Sequence, residues 1–595
     1  MEKTNLMIDE AIDLINNEDY NSAQRLLEKV INEDNKNIEA YKNLGLCLIN
    51  SDNPTQALDA FKKAVELDET DATSVFYLAN CYNRVGEKEL AIENFEKVIE
   101  LRKNYLDAYK SLAMIYIEFA RIDEAISLVE SAIENPEIEM DCSTYNIIAT
   151  AYMIKKDFSN AIKYFSEALK INPENVQILN SYAISNMNIG EFEKAIEALD
   201  KALEIEPENS LTNYNLGIIN QVIGNHLKAL EYFKESYRIE PSITMLATLA
   251  NAALNANDAE LAKTLYSNLV MAYPNNSKYR TSYVEALELT GDYSQGLENV
   301  NQLLTFDEKN ISLIKKKGAF LRKLGKHEES IATFQTLLNR GKIDVEVYYN
   351  LAFNYVETQD YDNAKEMFKK CIILEPQNPY AHKDLGVLYL KMNLYDWAVD
   401  EMEEAIKLED DVAEFYYSLG VAYLMLSRVD DSKKALLKAI ELEPNNPDTL
   451  SYLGYIYLTE RDFDKAYEYL EKSIKIAPDN FLSKINMAKY YFQLKKYDVA
   501  KELLIDCVEK TKDDETMNML AICYLEEKDY ESAMGLFSKL IVNYPKNHIL
   551  LTNLARCEFE CNKKDKAQEH LRQALLIFDD YKEALDLLKE INCGK

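Results

Sequence analysis

Small and large apolar residues recur along this chain in units of about 34 residues. In each of seventeen units a small residue, the late small site, stands in the second half, and in seven units Phe follows it four residues later. A second small residue, the early small site, lies twelve positions earlier, often with Leu just before it and Tyr three after. Spacings of three and four place side chains on one stripe of a helix. Each unit is therefore predicted to hold two helices that cross where their small residues meet.

Both small sites keep their register from about residue 4 to residue 581. The late small sites are Ala23, Ala57, Ala91, Ala125, Ala161, Ala195, Ala229, Ala262, Gly296, Ser330, Ala364, Ala398, Ser432, Ala466, Ala500, Ala533 and Ala567. The early sites are Ala11, Gly45, Ala79, Ala113, Ala149, Ala183, Gly217, Ala250, Val284, Gly318, Ala352, Gly386, Gly420, Gly454, Ala488, Ala521 and Ala555, of which only Val284 is not small. A period of this length indicates a stacked repeat array, in which each unit touches its neighbours only.

Glycine and proline recur at fixed positions of the same 34-residue unit. Five glycines stand seven residues after an early small site, where a left-handed cap would end the first helix of the unit. Eight prolines stand twelve residues after a late small site, where they would stop the second helix. Each unit therefore reads as helix, turn, helix.

This pattern resembles the tetratricopeptide repeat. Its motif is an aromatic residue, Leu-Gly, Tyr, Ala, Phe, Ala and Pro. One unit matches parts of it with Tyr416, Leu419, Gly420, Tyr423, Ala439 and Pro444, and another with Tyr348, Leu351, Ala352, Tyr355, Ala364, Phe368 and Pro376. The resemblance covers nearly the whole chain. It implies an all-α fold, an α-solenoid in which antiparallel helix pairs form a right-handed superhelix with a concave groove lined by first helices.

The predicted organisation is one continuous array of about seventeen repeats over residues 4–579, followed by a C-terminal capping helix and tail over 580–595. The capping helix is expected because the last repeat would otherwise expose its apolar side. Its pattern places Tyr581, Leu585 and Leu588 inward.

Composition restricts the function further. The net charge of −34 disfavours binding to nucleic acid. The N-terminus lacks the apolar core of a signal peptide, and no apolar run is long enough to span a membrane. Nine cysteines in 595 residues do not suggest a disulfide framework, so we expect a cytoplasmic protein.

Catalytic and metal-binding motifs are absent from the sequence. Its five histidines form no His-x-x-x-His pair, and no phosphate-binding loop or nucleophile elbow occurs. Cys47, Cys81, Cys523 and Cys557 share one repeat position, two after the early small site, which indicates packing rather than metal binding. We therefore expect no enzyme activity, no metal and no cofactor.

Asparagines recur two residues before the early small site, where the resemblance implies a position facing the groove. An Asn side chain both donates and accepts, so it can pair with a peptide main chain. The candidate peptide-binding residues are Asn43, Asn215, Asn350, Asn486 and Asn553. The alternative is that they are ordinary surface residues. Some tetratricopeptide proteins bind a chaperone tail with a clamp that needs Asn four residues after Lys. This clamp is not predicted here, because Ala319 stands four residues after Lys315.

Residues 311–326 carry six basic side chains and no acidic one. We predict that repeats nine and ten bind an acidic partner segment through charge-assisted hydrogen bonds. The candidates are Lys278, Lys315, Lys316, Arg322 and Lys323. One alternative is that these lysines only neutralise Glu285 and Glu288 of the preceding helix. Another is that the irregular repeats nine and ten form a loose joint.

The function predicted from the sequence is a non-catalytic scaffold that binds extended peptide or protein partners in the groove. The alternative is a regulatory or substrate-selecting subunit of a separate enzyme, such as a glycosyltransferase, or of a secretion or assembly machine. Almost no residues lie outside the repeats, so either function must use the repeat surfaces.

Overall fold

The computed structural model describes residues 2–341 and 344–593, and all regular structure in these ranges is α-helical, in 35 helices. The chain divides into two compact units, Met1–Asp292 and Tyr293–Lys595. The odd-numbered helices α1 to α33 are the first helices of the repeats, and the even-numbered helices are the second helices. The division between the units falls inside repeat nine, between its two helices.

The N-terminal unit contains seventeen helices. Its first helices are α1 (Glu2–Asn16), α3 (Ile38–Asn50), α5 (Ala72–Val85), α7 (Leu106–Glu118), α9 (Cys142–Ile154), α11 (Val176–Asn188), α13 (Ser210–Val222), α15 (Ile243–Asn255) and α17 (Ser277–Leu289). Its second helices are α2 (Tyr20–Glu33), α4 (Pro54–Leu67), α6 (Lys88–Leu101), α8 (Ile122–Ile133), α10 (Phe158–Ile171), α12 (Phe192–Ile205), α14 (His226–Ile239) and α16 (Ala259–Ala272).

The C-terminal unit contains eighteen helices. Its first helices are α19 (Ile311–Lys323), α21 (Val345–Glu357), α23 (Pro379–Lys391), α25 (Ala413–Met425), α27 (Pro447–Thr459), α29 (Phe481–Gln493), α31 (Asp514–Glu526) and α33 (His548–Glu560). Its second helices are α18 (Tyr293–Phe306), α20 (His327–Asn339), α22 (Tyr361–Leu374), α24 (Tyr395–Leu408), α26 (Val429–Leu442), α28 (Phe463–Ile476), α30 (Tyr497–Thr511), α32 (Tyr530–Asn543) and α34 (Lys564–Ile577). Helix α35 (Lys582–Cys593) follows them.

Within each unit, every helix packs against its chain neighbours, and the two helices of a repeat form a hairpin. The small sites lie at the helix crossings, as predicted. A Cβ atom added to Gly45 would lie 2.5 Å from the ring of Phe61, and one added to Gly318 would lie 2.5 Å from the ring of Phe334. The predicted all-α array of helix hairpins is confirmed within each unit. The prediction that both units belong to one continuous array stays a prediction.

Every first helix of a repeat is followed by a residue in the left-handed backbone region, seven positions after its early small site. The sequence identified this position in five repeats, where it is glycine with φ between 72° and 92°. In the other twelve repeats it is occupied by a residue with a side chain, such as Ala120 at 58° or Lys156 at 65°. The turn geometry is therefore set by the repeat and not by glycine alone.

Proline and polar caps define the remaining helix ends. The eight second helices that precede a predicted stop proline end two residues before it, as α10 does at Ile171 before Pro173. Most first helices begin after an Asn or Asp whose side chain accepts a backbone N–H, for example Asn175 before α11. Such caps satisfy backbone donors that a helix start leaves unpaired.

The last helix, α35, covers the apolar side of the final repeat. Its fully buried residues are Ala584, Leu587 and Ile591, which pack with Ala567 and Leu571 of α34. Tyr581, Leu585 and Leu588 are only half-buried. Of the predicted inward residues, Tyr581 and Leu588 pack against this cluster. Ala584, Leu587 and Ile591, which the pattern did not single out, are buried more deeply.

Candidate functional site

The first helices of successive repeats present a recurring candidate surface in each unit. Many of them pack against the first helix of the next repeat, as α9 does with α11 and α11 with α13. Counted from the early small site, positions −6, −2, +1 and +5 form one stripe on each first helix. In α11 this stripe is Gln177, Ser181, Ile184 and Asn188, all exposed or half-buried. We call these four positions, taken over all repeats, the first-helix face.

Position −3 lies beside this face and points to the next first helix. In three repeats it holds a lysine whose ammonium group pairs with the aspartate that caps the next first helix: Lys42 with Asp71 at 3.4 Å, Lys110 with Asp141 at 2.9 Å, and Lys315 with Asp344. Lys383 uses Glu414 in the same way, at 3.0 Å. We call such a contact a first-helix link. The link explains why these lysines recur without the asparagine of a chaperone-tail clamp.

Electrostatics favour the charged form of these links. Burial tends to raise the pKa of Asp141, but hydrogen bonds from Thr144 and Lys110 outweigh burial and hold that pKa well below its ordinary value. Burial likewise tends to lower the pKa of Lys315, but its hydrogen bonds to Asp344 and Glu346 raise that pKa. Both side chains of an ionic first-helix link are therefore charged near neutral pH.

Two repeats replace the ionic link by amides and hydroxyls. The side chain of Asn180 in α11 donates to the Thr212 hydroxyl of α13 at 2.8 Å, and its oxygen accepts from Asn215 at 2.8 Å. In the C-terminal unit, Asn486 of α29 donates to the Ser451 hydroxyl of α27 at 2.9 Å. These buried bonds join successive first helices without any charge.

The five predicted asparagines therefore differ in how open they are. Asn215 and Asn486 are buried and use their amide groups in first-helix links. Asn43 and Asn350 donate to the carbonyl oxygen four residues earlier, at 2.8 Å and 2.9 Å. Asn553 is half-buried and makes no hydrogen bond within the described residues. Peptide binding by these side chains stays a prediction, and only Asn553 has an unengaged amide group.

The predicted basic residues fall into two groups. Lys278 is exposed on α17 of the N-terminal unit, and the other four lie on α19 of the C-terminal unit. On α19, Lys315 is engaged by Asp344 and Glu346, and Arg322 donates to the Asn350 side chain at 3.1 Å. Lys316 and Lys323 occupy the first-helix face.

Lys323 is exposed and forms no ion pair in the part of the chain that the structure describes. The acidic partners of Lys315 are Asp344 and Glu346 of the following first helix. Neutralisation of Glu285 and Glu288 by the basic residues stays an alternative. Binding of an acidic segment therefore stays a prediction, now with Lys323 as its most accessible residue on α19.

Sequence reasoning missed one property of the first-helix face. Helices α9, α11, α13 and α15 contain no Asp, Glu, Lys or Arg, although these residues make up 28% of the chain. The signal was available in the sequence, but it becomes visible only when charges are counted helix by helix. The four helices belong to consecutive repeats, so they form a neutral stretch of the face.

Four of the cysteines and two of the histidines are accounted for by packing and single contacts. Cys47, Cys81, Cys523 and Cys557 are buried, which confirms the packing interpretation, and burial raises the pKa of the Cys557 thiol to about 12. His382 and His570 each contact one glutamate. Within residues 2–341 and 344–593, no group of three or more His, Cys, Asp and Glu side chains could hold a metal ion.

The hairpins, their small-residue crossings and their shared turns define the chain as a helical-hairpin repeat protein. Family models described as tetratricopeptide repeat match residues 38–71, 73–105, 152–213, 345–378, 383–447, 485–548 and 524–591. Together these matches cover more than half of the chain, which belongs to the tetratricopeptide-repeat family. A further family model, described as anaphase-promoting complex, cyclosome, subunit 3, matches residues 433–507.

Individual proteins of this family are distant from the chain. The TPR repeat protein oca3 of Schizosaccharomyces pombe (strain 972 / ATCC 24843) is 27% identical over 138 residues, which are 23% of this chain and 49% of that protein. The chain thus spans about half the length of this curated relative. Among solved structures, the APC/C hetero-tetramer Cut9–Hcn1 is 15% identical, with a TM-score of 0.34, over 93% of this chain and 96% of that one. YrrB, a TPR protein with an unusual peptide-binding site, is 23% identical, with a TM-score of 0.29, over 32% and 96%.

None of the described helices combines the length and the apolar composition that a membrane span needs.

Proposed function

We propose that this protein is a non-catalytic protein–protein interaction scaffold that binds segments of partner proteins on its first-helix face. The observation that carries the proposal is the face itself, whose positions recur in every hairpin and which keeps large side chains open to solvent on α13. Leu211 and Val222 on α13 are 53% and 60% exposed. Repeated open positions of this kind suit a partner that is long relative to one repeat.

A second site is proposed on α19 for an acidic segment. Lys316 and Lys323 would supply charge-assisted hydrogen bonds to carboxylates. Lys278, on α17 of the N-terminal unit, stays a separate candidate. Lys315 and Arg322 would support the site indirectly, since both are engaged with α21.

The α19 site is tested with a fluorescent decamer of glutamate as the probe, and Lys323→Glu should weaken the binding of this peptide. Lys434→Glu, on second helix α26, is the matched control, because Lys434 is 80% exposed. Equal binding to both variants would remove this site.

A subunit role in a larger assembly is the second candidate function. It is favoured by the match of residues 433–507 to a family model described as a subunit of the anaphase-promoting complex. A subunit would have one dedicated partner complex, while a scaffold would have several partners. Size-exclusion chromatography of the natively purified protein distinguishes them: one stoichiometric complex supports the subunit role. A cytoplasmic location stays a prediction for both.

The scaffold proposal is tested by capture of native partners with the full chain. Leu211→Glu and Val222→Glu place charge on the first-helix face, and Met271→Glu places it on second helix α16, where Met271 is 77% exposed. We expect partner capture to fall for the two face variants and to persist for the control. Equal capture by all three variants would contradict the use of this face.

A further inference from the structure

The neutral stretch of the first-helix face has distinct limits. Immediately before it, α7 carries Asp107 at position −6 and Glu118 at position +5. Immediately after it, α17 carries Lys278 and Glu285 on the same face. Between them, the sixteen face positions of α9, α11, α13 and α15 hold only aliphatic, hydroxyl and amide side chains. The four helices thus carry no charged side chain in a protein with a net charge of −34. Charge returns in the turns that precede them, where Glu174, Glu206 and Glu240 line the cavities beside Gln177 and Leu211.

The side chains on this stretch offer two kinds of contact. Ile154, Leu211 and Val222 are large aliphatic residues that remain about half exposed or more. Gln177 and Asn255 are exposed, and their amide groups make no hydrogen bond within the described residues. Aliphatic surface favours apolar side chains of a ligand, and free amides pair equally well with main-chain N–H and C=O groups.

The size of the stretch sets the length of a ligand. Packed helices lie about 8–10 Å apart, so four first helices side by side span roughly 30 Å between their outer axes. An extended chain covers about 3.3 Å per residue, so about nine or ten residues would cross the stretch. A ligand of this size would contact all four repeats at once.

The absence of charge selects the chemistry of the ligand. A charged side chain placed on the four helices would lose water and find no opposite charge on them, which is unfavourable. The carboxylates of Glu174, Glu206 and Glu240 belong to turns at the edge where the helices begin. An acidic segment would in addition be repelled by the net charge of the protein. A basic segment would find carboxylates on every flanking helix instead.

We infer that the first-helix face of α9, α11, α13 and α15 binds an uncharged, extended segment of about ten residues from a partner protein. The inference rests on the proposed scaffold function and adds the position and the chemical class of the ligand. Apolar side chains of the segment contact the exposed aliphatic residues, and its main chain pairs with Gln177 and Asn255.

The test uses a phage-displayed library of random decapeptides selected on the full chain. We expect the enriched peptides to lack Asp, Glu, Lys and Arg. Binding of the best synthetic peptide, followed by fluorescence polarisation, should weaken at least about tenfold in Leu211→Glu, because that variant places an unpaired charge in the interface. The control Met271→Glu should bind within about twofold of the wild type, since its charge lies on a second helix.

A near-isosteric variant controls for the possibility that Leu211→Glu weakens binding through loss of folding. Gln177→Glu adds charge at an exposed position with little change in shape, and circular dichroism checks the helix content of every variant. We expect Gln177→Glu to weaken peptide binding in the same direction as Leu211→Glu.

The outcomes separate this inference from the scaffold proposal. Enrichment of charged peptides would overturn the inference. Enrichment of neutral peptides whose binding is unchanged in Leu211→Glu and Gln177→Glu would overturn it as well. Peptides that respond to Lys323→Glu alone would do the same, while the scaffold proposal would survive. Enrichment of no peptide at all would count against both.

Discussion

The neutral first helices of the N-terminal unit and the ion-paired first helices of the C-terminal unit perform the same structural task with different chemistry. In α11 and α13, Asn180 joins neighbouring repeats through the hydroxyl of Thr212 and the amide of Asn215. In α19 and α21, Lys315 joins them through Asp344 and Glu346. Both sets lie at the edge of the first-helix face.

The difference teaches that the link between repeats is a position and not a residue type. The hairpin geometry fixes where position −3 meets the next first helix, and either an ion pair or an amide network can occupy that place. Because the link between α11 and α13 is uncharged, the neighbouring part of the first-helix face can be neutral as well. The same array can therefore present faces of different polarity to different partners.

The largest expected effect tests what the two regions share. Ala183→Leu in α11 and Ala352→Leu in α21 each enlarge a fully buried early small site. Each should lower the free energy of unfolding by about 1–3 kcal/mol, because the added atoms overpack the helix crossing. Urea denaturation followed by circular dichroism measures this change. A penalty in one region only would show that the hairpins are not packed alike.

The next effect separates the two kinds of link. Asn180→Ala should lower the free energy of unfolding by about 1–3 kcal/mol, because it leaves the buried Asn215 amide without its acceptor. Lys315→Ala should change it by only about 0–1 kcal/mol, since its ion pairs are partly exposed. The same denaturation experiment compares them. A larger loss for Lys315→Ala would reverse our ranking of the links.

A smaller effect concerns the turn that both regions use. Gly86→Ala should destabilise the protein by about 1 kcal/mol, because alanine is strained at a φ of 92°. Ala120→Gly should be neutral or slightly stabilising at the equivalent position, where alanine already adopts a φ of 58°. Thermal unfolding of both variants gives the sign. A stabilising Gly86→Ala would contradict the role of the left-handed turn.

The smallest effect is the pH dependence of the ionic link. The folded pKa of Asp344 is lowered, since hydrogen bonds from Lys315 and the Val347 N–H outweigh burial, which acts in the opposite direction. The stabilisation is therefore complete above the unfolded aspartate pKa of about 4 and is lost as pH falls through the lower folded pKa. The pKa of Lys315 is raised in the folded state. The stabilisation from Lys315 is therefore complete below about pH 10 and is lost as pH rises through this folded pKa.

A double-mutant cycle measures this dependence. The coupling between Lys315→Met and Asp344→Asn should be about 0.5 kcal/mol at pH 7 and should fall steadily below pH 4. The coupling between Asn180→Ala and Asn215→Ala should not change over the same range, because neither side chain titrates. An ionic coupling that persists fully as the carboxylate is protonated would contradict our description of the link.

The sequence was sufficient for the hairpins because the two helices of a hairpin cross through residues of the same repeat, such as Gly45 and Phe61. The small sites, the stop prolines and five left-handed glycines could all be read from spacing. The twelve left-handed turns without glycine could not, since Ala120 or Lys156 gives no local signal of its backbone conformation.

The candidate site was less predictable, because its contacts join different repeats. Lys315 appeared as a free basic residue, and its partners Asp344 and Glu346 lie 29 and 31 positions later. Asn215 appeared as a groove residue, yet its amide is used by Asn180 of the preceding repeat. Only stacking of the hairpins shows which polar side chains remain available.

Hydrogen exchange of the full chain, with and without the best neutral decapeptide from the library, tests the central claim most directly. Our account predicts that the peptide slows backbone exchange in α9, α11, α13 and α15, and leaves α19 and α21 unchanged. Protection confined to second helices, or spread over α19 and α21 instead, would contradict the claim that the neutral first-helix face is the binding surface.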